Sequence, residues 1–422
     1  NGIVTKDNHH NYWVQNGSGN LQYIHAESGE TKIFTLIPQE KHSLLSREQY
    51  HVLHDSRNLI WITTYGNGVF VYNPITQELR QFTANGNRFS CLASNFLLNI
   101  MEDRSGNIWI GTEHCGISHV RIMNEGSKRI YPTDLENNWV RMISQMDSGD
   151  ICVGIRNGGS FVYNSNLSVQ KSKNPQLYSV YAVVEDEVGE EWIGTREIGL
   201  LAQGRQYRMS TKPDSLSNDA IFTILRDRKN RMWVGTFGGW LNLAVPDKDG
   251  VKFRQIHIDE YGQRWIRCLI EDRNGWIWAG TSGGVLVFQP DSLIASSSQY
   301  YCYSRSDKSL KSNEIRSIFQ DSTGRIWIAE SGAGFSVCIP DGHYNNLSFK
   351  HYNASNGLVN NKVQAFAEDQ QGLIWISTEY GISCFNPQEE TFDNYFFSND
   401  ILENVYSDNC AITLNDGRLA FG

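Results

Sequence analysis

The 422-residue sequence lacks the features that mark several classes of protein. It has no apolar run near the ~20 residues that a membrane-spanning helix needs, and it has no tract of basic residues. Its 37 lysines and arginines are outnumbered by 46 aspartates and glutamates, which leaves a formal charge of −9. Since nucleic-acid binders neutralise phosphates with cationic side chains, the composition argues against that class.

Paired cysteines are also missing. The 8 cysteines are scattered without a CxxC pair, so a metal or redox site has little support. Several, such as Cys338 and Cys384, lie in apolar strand-like runs, where we expect buried free thiols. His51 and His54, followed by Asp55, stand on an apparent strand, where a three-residue step puts two side chains on opposite faces. We therefore predict no metal site and no cofactor.

Helical periodicity and proline are scarce, whereas glycine and tryptophan are abundant. No stretch sustains an apolar period of 3.6 residues beyond a couple of turns. Only 9 prolines stand against 37 glycines and 12 tryptophans, and an apolar share of 40% can supply a large core. The chain opens at Asn1 without an initiator Met or signal peptide and ends in mid-pattern at Gly422. We expect an all-β segment of a longer protein.

The tryptophans recur in a repeated phrase. Asp321-Ser-Thr-Gly-Arg-Ile-Trp327 is one of eight copies in which an Asp precedes a Trp by six residues, and two weaker copies carry Cys152 and Ala420 instead of Trp. The anchor tryptophans are Trp13, Trp61, Trp109, Trp192, Trp233, Trp278, Trp327 and Trp375. The ten anchors are about 45 residues apart on average, with four short strand-like runs in each period. This period is typical of β-propeller blades.

The repeated residues have mechanical roles in such a fold. Each Trp is expected to fill the wedge between neighbouring sheets, and each Asp to accept backbone N–H groups of the turn before its strand. A glycine-rich turn such as Gly283-Gly284 follows, where positive φ is expected. A catalytic site needs one convergent pair of carboxylates rather than a ring of turn caps, so the repeated Asp residues are predicted to be structural.

The phrase D-x-x-G-x-I-W-I-G-T-x-x-G-G-L-x-x-F resembles the two-component regulator propeller repeat. That repeat fills the periplasmic sensor region of bacterial hybrid two-component systems, above all the glycan-utilisation regulators of gut Bacteroidetes. The resemblance covers essentially the whole chain. It implies tandem seven-bladed β-propellers with four-stranded blades, of which this segment holds about ten blades. It also implies a homodimer in the intact receptor, with the membrane span and histidine kinase lying C-terminal to this segment.

The blade count predicts where two propellers part. The final copy, from Asn409 to Gly422, resembles the altered last blade that closes the second propeller of the family. Counting seven anchors back from 420 reaches 152. We therefore expect the last three blades of a first propeller in residues 1–130, and a second seven-bladed propeller, truncated in its last blade, in residues 131–422. A ring over anchors 13 to 278 is the competing register.

Binding residues are expected on one face of the disc, in loops whose lengths vary from blade to blade. An aromatic plane beside an Arg can stack on a sugar ring and pair with a uronate or sulfate group. Trp139 with Arg141 and Trp265 with Arg267 fit this best, although both tryptophans could instead be packing residues. The predicted ligand-binding residues are Trp139, Arg141, Arg156, Arg196, Glu197, Trp265, Arg267, Arg316, Glu330, Glu379 and Tyr380.

The resemblance and these residues together predict a periplasmic ligand-sensing domain rather than an enzyme. It would bind a glycan-derived oligosaccharide, contact no nucleic acid itself, and signal across the membrane to activate polysaccharide-utilisation genes. Two alternatives stay open: a propeller-fold carbohydrate-active enzyme and a protein-interaction scaffold. The enzyme is disfavoured because Asp and Trp are six residues apart here, whereas they are five apart in the Asp-box of sialidase-like hydrolases.

Overall fold

A computed structural model describes most of the chain, and almost all of its regular structure is antiparallel β-sheet. The described residues are 3–6, 10–15, 20–35, 51–84, 92–103, 106–120, 130, 132, 138–165, 167, 169–174, 176–258, 265–296, 299–395 and 405–422. The chain divides into two compact units, Asn1–Gly126 and Ser127–Gly422. The prediction of an all-β chain built from small four-stranded sheets is confirmed.

The first unit contains three sheets among its described residues, and each is a meander of consecutive strands. The strands are β1 (Ile3–Lys6), β2 (Tyr12–Gln15), β3 (Asn20–Ile24) and β4 (Thr31–Thr35); β5 (His51–His54), β6 (Ile60–Thr63), β7 (Val69–Asn73) and β8 (Glu78–Phe82); and β9 (Leu97–Glu102), β10 (Ile108–Thr112) and β11 (Ile117–Val120). That this unit is the end of a larger first propeller stays a prediction.

The second unit contains seven sheets among its described residues. The first four are β12 (Val140–Gln145), β13 (Ile151–Ile155), β14 (Ser160–Tyr163), β15 (Val169–Lys173); β16 (Val180–Glu185), β17 (Glu191–Thr195), β18 (Leu200–Ala202), β19 (Arg205–Tyr207); β20 (Ile221–Arg226), β21 (Met232–Thr236), β22 (Leu241–Asp247), β23 (Gly250–Ile256); and β24 (Ile266–Glu271), β25 (Ile277–Thr281), β26 (Val285–Phe288), β27 (Tyr301–Tyr303). The remaining three are β28 (Ile315–Gln320), β29 (Ile326–Glu330), β30 (Gly334–Cys338), β31 (Lys350–Tyr352); β32 (Val363–Glu368), β33 (Ile374–Thr378), β34 (Gly381–Asn386), β35 (Thr391–Tyr395); and β36 (Ala411–Thr413), β37 (Leu419–Phe421).

These seven sheets form a closed ring. The first strand of each sheet contacts the first strand of the next, from β12 through β16, β20, β24, β28 and β32 to β36, and β36 also contacts β12. We call β36, β37 and the preceding residues 405–410 the closing segment. It is joined to the first sheet by hydrogen bonds from Ser407 Oγ to the Val140 carbonyl (2.5 Å) and from Asn415 N to Gln145 Oε1 (2.8 Å).

The repeated phrase acts as predicted at the seams between sheets, with one addition. Asp272 Oδ1 accepts the backbone N–H groups of Asn274 and Trp276, each at 2.9 Å. Its Oδ2 accepts the indole N–H of Trp278, also at 2.9 Å, and six further Asp–Trp pairs repeat this bond at 2.8–3.2 Å. The Asp therefore fixes the orientation of the Trp as well as capping its turn.

The indoles fill the seams because the next sheet lies against them. Trp278 is fully buried and packs with Ile315 and Ile328 of the following sheet. The glycine of the Ile-Trp-Ile-Gly-Thr run serves the same seam, because a Cβ on Gly280 would lie 2.9 Å from Ile315 Cγ2. Gly284 in the next turn has φ +120°, and its Cβ would lie 2.2 Å from the Tyr303 carbonyl oxygen. Glycine is required at both positions for steric reasons.

Two anchors depart from the predicted role as wedges between sheets. Trp109 is 37% exposed, and it stacks on His119 of its own sheet with the ring centroids 4.3 Å apart. Trp375 is half-buried and stacks on Tyr395 of its own sheet at 5.3 Å. Trp109 lies in the last sheet of the first unit, and the sheet that follows Trp375 shows two strands among the residues that the structure describes. The wedge role therefore needs a full neighbouring sheet.

Helix is minor in the described residues, which contain one α-helix, α1 (Pro290–Ala295), and a 3-10 turn at Ala354–Asn356. Within those ranges no helix combines the length and hydropathy needed to cross a lipid bilayer. The cysteines predicted to be buried free thiols, Cys338 and Cys384, are buried and free.

Candidate ligand-binding site

The innermost strands of six consecutive sheets in the second unit share one irregularity. In each, the pairing register with the second strand shifts by one residue near the start of the strand. A β-bulge leaves one residue out of the ladder and redirects its side chain, and bulges are enriched beside functional sites. The bulge residues are Arg141, Tyr181, Phe222, Arg267, Arg316 and Gln364.

Four bulge residues line a cavity at the centre of the ring. Its volume is about 180 Å³, and the residues around it come from the first strands of four sheets and from the closing segment. The side chains with polar or aromatic groups include Arg141, Tyr181, Phe222, Arg267 and Asp408. Because these residues are far apart in sequence, the cavity exists only when the ring is closed.

Aromatic rings form a continuous row beside this cavity, which we call the aromatic row. Tyr181 contacts Phe222 with centroids 4.7 Å apart, and Phe222 stacks on Phe237 at 4.5 Å with an interplanar angle of 17°. Phe237 stacks in turn on Trp265 at 5.1 Å and 12°. Trp265 is 46% exposed, so the row runs from the buried Tyr181 to a ring face that solvent reaches.

Two arginines and two carboxylates form an ion-pair network next to the aromatic row. Arg267 donates to Asp408 Oδ2 at 3.2 Å and to Glu314 Oε1 at 2.7 Å. Arg316 contacts the same two oxygens, at 2.6 Å and 3.0 Å respectively. The Arg267 guanidinium also lies 5.2 Å from the ring centroid of Phe237. Each carboxylate therefore bridges both cations.

The network shifts the pKa of the two arginines in opposite directions. Burial lowers the pKa of Arg267, and the neighbouring Arg316 charge lowers it further, while Asp408 and Glu314 partly offset both effects. Burial also acts to lower the pKa of Arg316, but the charge and hydrogen bond of Asp408, together with the charges of Glu314 and Glu379, outweigh it, so the net shift is upward. The opposite shifts indicate that Asp408 stabilises the charged form of Arg316 more than that of Arg267.

Arg141 is placed differently from the other two arginines. Its guanidinium lies 5.6 Å from the ring centroid of Tyr181. Its Nε, like that of Arg267, is buried without a hydrogen-bond partner, but unlike Arg267 the side chain makes no ion pair within the described ranges. The sequence predicted Arg141 and Arg267 as equivalent binding residues, but the structure gives Arg267 two carboxylate partners and Arg141 none among the described residues.

Neither of the two predicted tryptophans is buried as a wedge between sheets. Trp139 is 62% exposed, and the Arg156 guanidinium lies 4.9 Å from its ring centroid. The backbone N–H of Arg156 donates to the Trp139 carbonyl at 2.8 Å. The equivalent bond joins Ser282 to Trp265 in another sheet, at 3.2 Å. The loop before each first strand and the turn after each second strand are thus neighbours, so predicted residues in both positions, such as Trp139 and Arg156, lie at the same end of their sheets.

Four other predicted residues lie on the same turns without joining the cavity. Arg196 and Glu197 are exposed, and the Arg196 backbone N–H donates to the Ser179 carbonyl at 3.1 Å. Glu379 pairs with Lys362 at 2.7 Å, and Tyr380 is 52% exposed. Their use in binding stays a prediction.

Glu330 does not lie on the exposed surface where the prediction put it. The residue is 1% exposed, and its carboxylate accepts the backbone N–H groups of Lys311 (2.5 Å) and Ser312 (2.7 Å) and the hydroxyl of Ser336. His351 lies beside it, with Nδ1 3.6 Å from Glu330 Oε1. Because its oxygens are occupied by the loop before β28, Glu330 supports that loop and is not available to a ligand.

The prediction missed residues that a simple count would have found. Every bulge residue stands eleven positions before its blade anchor, as 141 stands before 152 and 222 before 233. Applying that count selects Tyr181, Phe222 and Gln364 in addition to the three arginines, and Asn409 before anchor 420. No sequence signal marks Asp408 or Glu314, because their partnership with Arg267 depends on contacts between different sheets.

The paired charges and aromatic planes of this site are suited to recognising a polar ligand. Asp408 and Glu314 are both held in ion pairs with Arg267 and Arg316. Burial raises the pKa of Cys268, behind Arg267, to about 12, which keeps that thiol protonated and unreactive. Across the described ranges, no three His, Cys, Asp or Glu side chains are grouped as metal ligands.

Five segments of the chain match the family model described as two component regulator propeller: residues 91–114, 215–238, 260–283, 309–332 and 357–380. The chain therefore carries two-component regulator propeller repeats, as predicted. Among curated proteins, Histidine kinase P4 of Formosa agariphila is 22% identical over 376 residues. The alignment covers 84% of this chain but 23% of that protein.

Solved structures with this fold include the extracellular domain of the putative hybrid two component system BT3049 from B. thetaiotaomicron. It is similar with a TM-score of 0.71 and 22% identity over all of this chain and 55% of that one. PorZ, a surface component of the type-IX secretion system of Porphyromonas gingivalis, gives 0.51 and 13% over 97% of this chain and 61% of PorZ. The chain thus spans about half the length of the first of these structures. At these identities the likeness establishes the propeller fold.

Proposed function

We propose that this chain is an extracytoplasmic, periplasmic ligand-sensing segment of a hybrid two-component sensor histidine kinase. Its ligand is a glycan-derived oligosaccharide, which binds on the face of the seven-sheet ring that carries the aromatic row. The repeats and the named kinase support the sensing role. The geometry of the face supports the ligand class.

The aromatic row is the observation that carries the proposal. Pyranose rings present flat C–H faces that pack on exposed aromatic planes, and the polar edge of the sugar needs hydrogen-bond donors beside those planes. Trp265 offers such a plane at the end of the row, and Trp139 offers a second with Arg156 above it. Exposed tryptophans that stack on neighbours are already ordered, so binding costs them little conformational entropy.

Signalling follows from where the site is built. The cavity is lined by the closing segment as well as by β12, β16, β20 and β24, so a bound ligand contacts the residues that close the ring. A ligand that favours one arrangement of this segment shifts its population, and that shift can be passed to a kinase in the same receptor. The homodimer, the membrane attachment and the control of polysaccharide-utilisation genes belong to this proposal.

Calorimetric titration of the protein with a panel of oligosaccharides tests the proposal. Trp265→Ala removes the exposed end of the aromatic row, and we expect a loss of affinity of up to about tenfold, since stacking contributes about 0.5–1.5 kcal/mol, with little change in the melting temperature. Trp276→Ala is the matched control, because Trp276 stacks on Tyr344 at 4.2 Å, away from the cavity. We expect that variant to melt earlier and to bind as before.

Three results would contradict the proposal. Binding to none of the oligosaccharides would remove the ligand class. Equal affinity of Trp265→Ala and the wild-type protein would move the site elsewhere. Release of products from a glycan by the protein alone would favour the carbohydrate-active enzyme instead.

A further inference from the structure

We propose that Arg141 is an anion subsite, so that the ligand is an acidic sugar whose carboxylate or sulfate oxygens bind this guanidinium. The inference rests on the proposed function, because it names the ligand class of the same cavity. Of the three arginines at the centre of the ring, Arg267 and Arg316 already have carboxylate partners, and Arg141 has none among the described residues.

The charged side chains around the cavity do not cancel one another. Arg267 and Arg316 carry two positive charges, and Asp408 and Glu314 carry two negative ones at distances of 2.6–3.2 Å. That network is electrically balanced. Of the charged residues that line the cavity itself, Arg141 and Arg267 are positive and Asp408 is negative, which leaves a net charge of +1 for a ligand to neutralise.

The hydrogen bonding of Arg141 is incomplete. An arginine has five N–H donors in a planar fork that fits the two oxygens of a carboxylate or sulfate group. Within the described part of the chain, those donors have no carboxylate partner, and the buried Nε has no hydrogen bond at all. A partly buried guanidinium without an acceptor is costly. An oxyanion from the ligand would supply the missing acceptors.

A ligand in the cavity can reach the Arg141 side chain. Arg141 lines the cavity of about 180 Å³ together with Tyr181, Phe222 and Arg267, and it is a bulge residue whose side chain is redirected out of the sheet ladder. The Tyr181 ring holds one face of the guanidinium at 5.6 Å. Since the aromatic row begins at Tyr181, an acid group at Arg141 is adjacent to the planes on which the sugar ring would stack.

The subsite lies at the seam where the ring closes. Arg141 follows Val140, whose carbonyl accepts the Ser407 hydroxyl of the closing segment at 2.5 Å. Asp408 and Asn409 of that segment line the same cavity. An oxyanion held by Arg141 therefore touches both sides of the seam, and binding should increase the protection of the closing segment from hydrogen exchange.

The experiment compares acidic and neutral ligands of equal length. Oligomers of galacturonic acid, sulfated galactose oligomers and neutral galactose oligomers are titrated against the wild-type protein, Arg141→Gln and Arg141→Lys. A separate arm uses inorganic sulfate against chloride at constant ionic strength. Arg254→Gln removes a charge of the same kind from an exposed position on the outer strand β23 and serves as the control.

We expect the wild-type protein to prefer at least one acidic oligomer to its neutral counterpart. Arg141→Gln should lose about tenfold or more in affinity for that oligomer and nothing for the neutral one, whereas Arg141→Lys should recover part of the loss and Arg254→Gln should resemble wild type. Which acidic oligomer responds distinguishes a carboxylate from a sulfate group.

Two outcomes would overturn the subsite while leaving the proposed function intact: neutral and acidic oligomers bind equally, or Arg141→Gln weakens both to the same degree. If no oligosaccharide of either kind binds, the proposed function fails, and the sulfate arm then decides the subsite by itself. Sulfate should raise the melting temperature of the wild-type protein but not that of Arg141→Gln, and an equal rise in both would overturn the inference.

Discussion

The two units use the same repeat but differ in how it is completed. In the second unit the last sheet packs on the first, and the first strands of six sheets carry a bulge residue. In the first unit β9 carries the equivalent bulge, at Leu98, but among the described residues no hydrophobic cluster joins the first sheet to the third. A ring brings its bulge residues to one centre, whereas a row of sheets cannot.

The difference is also visible on the outer surface of the third sheet. There Met101 is 56% exposed, Trp109 37% and Ile117 67%. In the second unit the corresponding surface of each of four anchor tryptophans, from Trp192 to Trp327, is covered by the next sheet. The same side chain therefore stabilises the fold only where a neighbouring sheet covers it.

The largest expected effect comes from removing one anchor in each unit. Trp327→Ala should lower the free energy of unfolding of the second unit by about 3–5 kcal/mol, because Trp327 is 1% exposed and packs with Phe366 and Phe385 of the next sheet. Trp109→Ala should cost about 1–2 kcal/mol. Urea unfolding, monitored separately in each unit by hydrogen exchange, measures both losses of stability. Equal losses would show that the neighbouring sheet does not determine the contribution of the anchor tryptophan.

A smaller effect is expected from the closure of the ring. Asp408→Asn leaves Arg267 and Arg316 with one shared carboxylate and should destabilise the second unit by about 2–3 kcal/mol. Glu314→Gln removes a carboxylate from the same two arginines, but Glu314 is more exposed and lies outside the closing segment, so we expect about 1 kcal/mol or less.

The measurement for this pair is the melting temperature together with the exchange protection of residues 405–422. If Glu314→Gln unprotects that segment as much as Asp408→Asn does, then the two carboxylates are equivalent and closure does not depend on Asp408.

The last effect is a dependence of stability on acid pH at Asp321, in the turn before β29. Burial acts to raise the pKa of Asp321, but hydrogen bonds from Thr323, Trp327 and Arg325 outweigh it, so the folded-state pKa lies below the ordinary value of 3.8. The stabilisation is therefore fully present above that value and is lost as the pH falls through the lower, folded-state pKa. Asp321→Asn should lose about 1–2 kcal/mol at neutral pH and show a flatter stability curve between pH 4 and 2.

Asp103→Asn sharpens the comparison, because Asp103 accepts the indole N–H of the exposed Trp109 at 2.8 Å. We expect a smaller loss of stability at neutral pH than for Asp321→Asn. Chemical denaturation at pH 7 and at several acid values would measure both, and a steeper acid loss in Asp321→Asn than in wild type would contradict the assignment.

The framework of the fold was predictable because it is local. An Asp, a Gly and a Trp within seven residues specify the turn, the strand and the seam, and the anchors fall at nearly even intervals, so the strand count and the all-β class could be read from the chain. The same spacing contained the bulge residues eleven positions before each anchor. Phe222 and Gln364 were missed only because that offset was not applied.

The rest of the site depends on contacts between distant parts of the chain. Arg267 and Asp408 are 141 residues apart, and nothing in the sequence near Asp408 marks it as the partner of an arginine. Glu330 shows the opposite error, because its position after a Trp strand predicted exposure, whereas the loop before β28 folds over it. Burial of a single side chain is set by such loops and not by the repeat.

The order of the sheets in the second unit has a consequence for synthesis in the cell. The Val140 carbonyl and the Ser407 hydroxyl that join the first sheet to the closing segment are 267 residues apart. At ~5–20 residues per second, a ribosome needs on the order of tens of seconds between making the two. During that interval the side of the first sheet of the second unit that β36 will cover stays exposed to solvent and accessible to a chaperone. It becomes buried only when β36 and β37 have been made and pack against it.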